Sequence, residues 1–260
     1  MSVDKLDNGA LFTYLLRLGD NSLVLSHRLG EWCAHGPELE TEIALLNVGL
    51  DLIGQARSLL TYAGEVEGKG RDEDALAYQR PGAEFRNFLL VEQPNGDFAV
   101  TVVRQFLYDA FQLEFYTRLQ GSKDAWLAAI AAKAATEITY HFRYSSGWVV
   151  RLGDGTDESH RRMQTALDEL WRHTAEMFQS DEVDQAIVAA GVGVDRAALK
   201  PVWDRRIDPV LAEATLVRPE DGAAQKYGMD GGITGDHSEH LGHILTEMQF
   251  LYRASPGLTW

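Results

Sequence analysis

One cysteine, seven prolines and a shortage of positive charge set the first limits on this chain. A single thiol, Cys33, closes no intrachain disulfide, so a reducing compartment is expected. Lysine and arginine number 24 against 39 aspartates and glutamates, a net charge of -15. A surface so negative repels phosphate backbones and anionic lipid headgroups, which argues against nucleic acid and membrane partners. No apolar run approaches the ~18 uninterrupted residues of a membrane span. The first ten residues carry acids and no apolar core of a signal peptide. Alternating β-branched runs bounded by hairpin turns are also missing. The phosphate-binding and nucleophile-elbow patterns G-x-G-x-x-G, G-x-x-x-x-G-K-[ST] and G-x-S-x-G do not occur. The expectation is a cytoplasmic, acidic, all-α globular chain.

What the sequence does have is helical periodicity. Leu11, Leu15, Leu18, Ser22, Leu25, Leu29 and Trp32 recur at spacings of three and four, predicting a helix from Asn8 to His35. Gly36-Pro37 breaks it, and Pro37 suits the first position of a second helix. That helix carries Glu38, Glu40 and Glu42 in its opening turns and the face Leu45, Val48, Leu52, Gln55, Leu59, Tyr62. Arg71 to Gly96 is a looser stretch with a short helix around Phe85–Leu90. Asn95-Gly96-Asp97 starts a third helix with the face Phe98, Val102, Phe106, Asp109, Leu113, Tyr116. Ser122 is read as the cap of a fourth, with Leu127, Ile130, Ala134, Ile138, His141, Ser145 and Trp148 on one face. Four helices of ~24–30 residues, with a long crossover between the second and third, predict a ferritin-like four-helix bundle. Three further helices, one kinked near Pro201, are expected on its outside. A last helix is expected behind a capping box of Asp236 and Glu239. The whole chain, 1–260, reads as one domain, with the core bundle at about 8–153 and peripheral helices at about 156–254.

A ferritin-like bundle raises the question of a di-iron centre. Such a site takes Glu from two helices and Glu-x-x-His from the other two, because i, i+3 spacing puts both ligands on one face. No Glu-x-x-His exists in this chain. The one Asp-x-x-His, Asp157–His160, sits at a helix start outside the four core helices. At the middle layer the predicted inner faces offer Ser22, Leu52, Gln55, Asp109, Ile138 and His141. Only Asp109 and His141 are able to bind iron, and they read as a residual polar pair. No metal or cofactor is therefore expected. His237, His240 and His243 stand at i, i+3, i+6 beside Glu247, a spacing at which the third imidazole drifts off the face. They read as meeting solvent or a neighbouring protein chain. Cys33 beside His35 reads as a small side chain buried at a helix end. Trp148, Trp171 and Trp203 read as core or interface. The glycine-rich loop Gly222–Gly235, whose one basic residue is Lys226, reads as a mobile or partner-ordered segment rather than a phosphate cradle.

The runs TYLLRLGDNSLVLSHRLGEWCAHGPELE, LNVGLDLIGQARSLLTYA, LLVEQPNGDFA, TEITYHFRYSSGW, LWRHTAEMF and SEHLGHILTEMQFLYR resemble the C subunits of bacterial ring-1,2-phenylacetyl-CoA epoxidases, from about Leu11 to Trp260. The resemblance implies a non-catalytic paralogue of the di-iron A subunit in the same multicomponent monooxygenase. Where the catalytic paralogue carries Asp-Glu-x-Gly-His, this chain has Asp51-Leu52-Ile53-Gly54-Gln55. Where it carries Glu-x-x-His, this chain has Ile138-Thr139-Tyr140-His141. The resemblance matches Asp109 to the third helix's carboxylate and Ser22 to the first helix's glutamate. It implies a structural subunit that supports the A subunit, alongside further small subunits and a flavin/iron–sulfur reductase. Alone, the chain is expected to form homo-oligomers. The alternative is a homo-oligomeric ferritin-like binding protein with no enzyme partner.

Overall fold

A computed structural model describes residues 7–221, 230–255 and 258. They fall into two compact units. One takes in residues 7–94 with 231–255 and 258, and the other takes residues 95–221 and 230. Among the described residues every regular element is a helix, so the all-α class is as the sequence predicts. The four long helices follow in the order expected of a ferritin-like chain.

In the N-terminal unit, α1 (Asn8–Gly30) and α2 (Leu39–Glu67) run antiparallel. Gly19 lies against Leu60 and Gly49 against Ser26, which fixes their register. A β-carbon on Gly19 would stand 2.8 Å from Leu60 Cδ2, so the glycine permits the close crossing. Helix α1 is shorter than the expected Asn8–His35. From Glu31 the backbone makes tight three-residue turns, and Ala34 takes a left-handed φ of 65°. Cys33 therefore sits on a turn and is exposed, not buried at a helix end. Helix α2 starts two residues after Pro37, with Glu38 as its N-cap. It ends on Gly68 in the left-handed region that suits a glycine cap.

Helix α2 is long and apolar enough to cross a bilayer by length and composition alone, a test that a core helix of a soluble protein also passes. Counting uninterrupted apolar residues missed it because Asn47 and Asp51 interrupt the run. The excess arises because α2 is apolar on two faces, one of them packed on α1.

The connection after α2 carries α3 (Glu73–Tyr78), capped by Asp72, and a single turn, α4 (Leu89–Glu92). Phe85 to Phe88, expected to be helical, lead into α4 in extended form. The last helix of the chain, which we label α10 (Glu239–Ala254), returns to this unit. Gln249 donates to the carbonyls of Ala77 and Arg80, both at 3.0 Å. The expected Asp236 capping box is absent: the helix starts behind Ser238, whose amide is held by Glu92 Oε1 at 2.7 Å.

In the central unit, α5 (Phe98–Leu119) starts at Asp97, which accepts from the Val100 amide as an N-cap. Helix α6 (Ala125–Gly153) is capped by Asp124 rather than Ser122, because Ser122 donates instead to the Val192 carbonyl at 2.6 Å. The two are antiparallel, with Phe98 against Trp148 and Phe106 against Phe142. Helices α7 (Asp157–Trp171), α8 (Glu182–Ala189) and α9 (Lys200–Glu213) complete the unit. Pro201 lies in the first turn of α9 and starts it rather than kinking it, and the proline inside the helix is Pro209. Trp203 on α9 is fully buried and donates to the Leu107 carbonyl at 3.0 Å, with Trp171 of α7 5.4 Å away. Between α7, α9 and α6, residues Thr101 to Gln112 of α5 are buried all round.

Candidate functional site

All six positions picked from the periodicity are buried. Ser22, Leu52 and Gln55 belong to the N-terminal unit, where the α1/α2 register puts Ser22 level with Gln55. Asp109, Ile138 and His141 belong to the central unit.

In the central unit, α5 presents Asp109 and α6 presents His141 and Ser145. Gln105, one turn before Asp109, donates Nε2 to Asp109 Oδ1 at 2.6 Å. Ser145 donates its hydroxyl to Oδ2 at 2.8 Å. Burial pushes the Asp109 carboxyl up to about 6, although the charge of neighbouring His141 and the hydrogen bonds from Ser145 and Gln105 pull the other way. Phe106, one turn before Asp109, stacks on Phe142 of α6, and Ile138, one turn before His141, is fully buried. The sequence pointed to Asp109, His141 and Ser145. It did not single out Gln105, although its i, i+4 spacing to Asp109 is a legible signal.

The donor set does not fit a di-iron centre. Asp109 uses both oxygens in hydrogen bonds to neutral side chains, and Leu52 and Ile138 have nothing to offer a metal. Among the described residues no three histidine, cysteine or carboxylate side chains group closely enough to hold a metal ion. Asp157 and His160 lie at the start of α7, and the His160 ring bonds to the Gly153 carbonyl at 2.8 Å.

The N-terminal unit holds a second buried polar system, which the sequence did not reveal. Arg80 makes a two-pronged ion pair with Asp20 of α1, and its other contacts include the Glu84 carbonyl at 2.9 Å and the Phe85 ring at 4.3 Å. The Arg86 amide donates to Asp20 Oδ2 at 2.9 Å. Glu92 is fully buried and accepts from Asn87 Nδ2 and from the Ser238 amide, while Arg28 donates to its carbonyl at 2.7 Å. His237 completes it, with Nδ1 2.9 Å from Glu92 Oε2 and Nε2 3.0 Å from the Phe85 carbonyl. Both partners are acceptors, so the site favours the doubly protonated imidazole, in which each ring nitrogen donates. Burial alone would lower its proton affinity, but Glu92, the Phe85 carbonyl and Asp20 raise it above the ordinary value.

The histidine trio expected in the last helix is therefore divided. His237 precedes α10 and faces Glu92, His240 is half-buried, and His243 is exposed. Of the glycine-rich loop, residues 222–229, Lys226 included, lie outside the described residues.

Paired long helices and a buried polar pair without a metal-binding donor set define the class: an all-α, ferritin-like protein. The chain belongs to the family of phenylacetic acid catabolic proteins, which it matches over residues 2–260. It is 52% identical over 250 residues to the C subunit of 1,2-phenylacetyl-CoA epoxidase from Escherichia coli (strain K12), covering 96% of this chain and 99% of that protein.

Proposed function

We propose that this chain is the non-catalytic structural subunit of a phenylacetyl-CoA ring-1,2-epoxidase, acting in the cytoplasm. It binds and supports a di-iron catalytic paralogue, within a complex that also holds small and reductase subunits. The observation that carries the reading is the donor set. Of six buried candidate positions only Asp109 and His141 bear ligating groups, and Asp109 already has a hydrogen bond on each oxygen. The near full-length likeness to the C subunit of an epoxidase supports the assignment to that complex. Without its catalytic partner the chain associates with itself.

The test is reconstitution with a di-iron paralogue. The two chains are expected to co-elute in high salt, because apolar burial is not screened as exposed ion pairs are. Epoxidation should require both, with iron only in the paralogue. Separate elution at micromolar concentration, with the paralogue fully active alone, would sink the proposal. So would two irons per chain after anaerobic ferrous loading of this protein.

A further inference from the structure

The second half of α6 carries no acid. Residues 138–153 contain no aspartate or glutamate, in a chain with 39 of them. Two arginines stand on this stretch, Arg143 and Arg151, both exposed. Neither has an acid within ion-pair distance among the described residues. Each guanidinium lies instead over a ring of its own helix, Arg143 5.6 Å from the centre of Tyr140 and Arg151 5.5 Å from that of Trp148. Elsewhere the exposed helix cations meet an acid one turn away, as Arg118 meets Glu114 and Lys133 meets Glu137. The acids flanking the stretch are taken, Glu137 by Lys133 at 3.2 Å and Asp97 by Arg162 at 3.4 Å. Arg151 suits the negative end of its helix, but Arg143 stands too far from that end to gain by it.

Gly147 lies midway between the two arginines. A β-carbon built there would have nothing within 4 Å, so the helix surface is notched at that point. Arg143, Gly147 and Arg151 form one i, i+4, i+8 ridge, and Tyr140, Tyr144 and Trp148 form the ridge beside it. Tyr140 is 42% exposed and stacks on Tyr144 at 6.2 Å. Tyr144 meets Trp148 edge-on at 6.5 Å, and Phe98 of α5 packs edge-on against Trp148 at 5.2 Å. The rings are thus set in place before anything docks. Two ridges with a gap match a second helix, whose own ridge enters the groove between them at a crossing angle of about −50°. The arginines are about 12 Å apart along the axis. A facing ridge of carboxylate, apolar side chain and carboxylate at i, i+4, i+8 has that spacing. Tyrosine, tryptophan and arginine are also the side chains that carry most binding energy where proteins meet. A helix exterior offers a small anion no enclosing walls.

We propose that the α6 face centred on Gly147 is a docking site for an acidic helix of another protein chain. The inference is independent of the function proposed above, and its experiment uses no component of the epoxidase. The probe is a synthetic stapled helix with glutamate, leucine and glutamate at i, i+4, i+8, and its control carries glutamines in place of the glutamates. Binding to the full chain is followed by fluorescence anisotropy. The native chain is expected to bind the glutamate helix, less tightly as salt rises. The glutamine helix should bind about 10-fold more weakly, and so should the glutamate helix to a chain carrying both Arg143→Gln and Arg151→Gln. Gly147→Leu fills the notch and should weaken binding by about as much. With nothing within 4 Å of that position, the leucine chain should keep native helicity by circular dichroism.

A native chain that does not bind the glutamate helix would overturn the proposal. Equal binding of the two helices would do the same. Disordered polyglutamate held as tightly as the helix would reduce the effect to charge attraction alone and overturn the helix as occupant. A Gly147→Leu chain that binds like the native one would overturn the notch as its seat. Self-association of the native chain that the two glutamine substitutions abolish would give the face to a second copy instead.

Discussion

Asp20 on α1 and Asp109 on α5 are equally shut off from water, yet they keep different company. Asp20 faces the Arg80 guanidinium, a full positive charge in a two-pronged pair, and the Arg86 amide. Asp109 faces the amide of Gln105 and the hydroxyl of Ser145, both neutral, with His141 nearby. Burial raises the Asp109 carboxyl to about 6, against the pull of the His141 charge and of its two neutral donors. Depth is the same in the two places, and the partners differ. The N-terminal unit uses its buried charge to join distant stretches of chain. The central unit keeps an acid whose hydrogen bonds join only neighbouring helices.

The sharpest break in this comparison is Arg80→Met, which leaves Asp20 buried without its cation. A loss of about 3–5 kcal/mol is expected in denaturant unfolding, because the remaining charge is uncompensated. A loss below about 1 kcal/mol would make the Asp20 pair no stronger than a surface one.

Asp109→Asn should act with the opposite sign at neutral pH. A carboxyl raised from 3.8 to about 6 binds its proton more tightly folded than unfolded. Its contribution is therefore full below pH 3.8 and lost as pH rises through about 6, a loss of roughly 3 kcal/mol. The asparagine variant should lack that slope and be the more stable chain at neutral pH. Unfolding free energies measured from acid to mildly alkaline pH test this, and parallel curves for the two proteins would contradict it.

His237→Gln is a smaller perturbation, of about 1–3 kcal/mol, since Glu92 loses a charged partner but keeps Asn87 and the Ser238 amide. Because the folded imidazole is raised above its ordinary 6.5, its contribution is complete below that pH and is lost as pH rises through the folded value. Hydrogen exchange in α10, corrected for intrinsic rates, should speed up over that range in the native chain and show no such step in the variant.

Ser22→Ala is the smallest. The Ser22 hydroxyl is buried and has no hydrogen-bond partner among the described residues. Its removal should change stability by no more than about 1 kcal/mol, in the stabilising direction. Thermal unfolding that shows a marked loss would mean that the hydroxyl has work in the N-terminal unit.

The long helices and their inner faces were legible in the sequence because an apolar period is a local property. Every one of Ser22, Leu52, Gln55, Asp109, Ile138 and His141 is buried as that period requires. Caps were less legible, since Ser122 and Asp124 are both competent and the choice depends on the Val192 carbonyl, 70 residues beyond Ser122. The buried network was not legible at all. Glu92 and His237 stand 145 residues apart, and neither repeats with any period. His237 looked like a member of a histidine trio because sequence spacing was the only geometry to hand. The exposed apolar residues Leu39, Ile43, Leu50 and Ile53 of α2 were hidden because Asn47 and Asp51 interrupt the run.

The path of the chain has a consequence for its synthesis. Residues 95–221 form a unit from one continuous stretch, so all its parts are synthesised before α10. The N-terminal unit is translated first but lacks α10 until last. Until then the carbonyls of Ala77 and Arg80 lack Gln249, and Glu92 lacks His237 and the Ser238 amide. The first part of the chain to be made is thus the last to be finished, and folding does not follow the order of translation. A nascent chain released short of α10 would hold every residue of the central unit but leave the N-terminal unit with its buried acid uncovered.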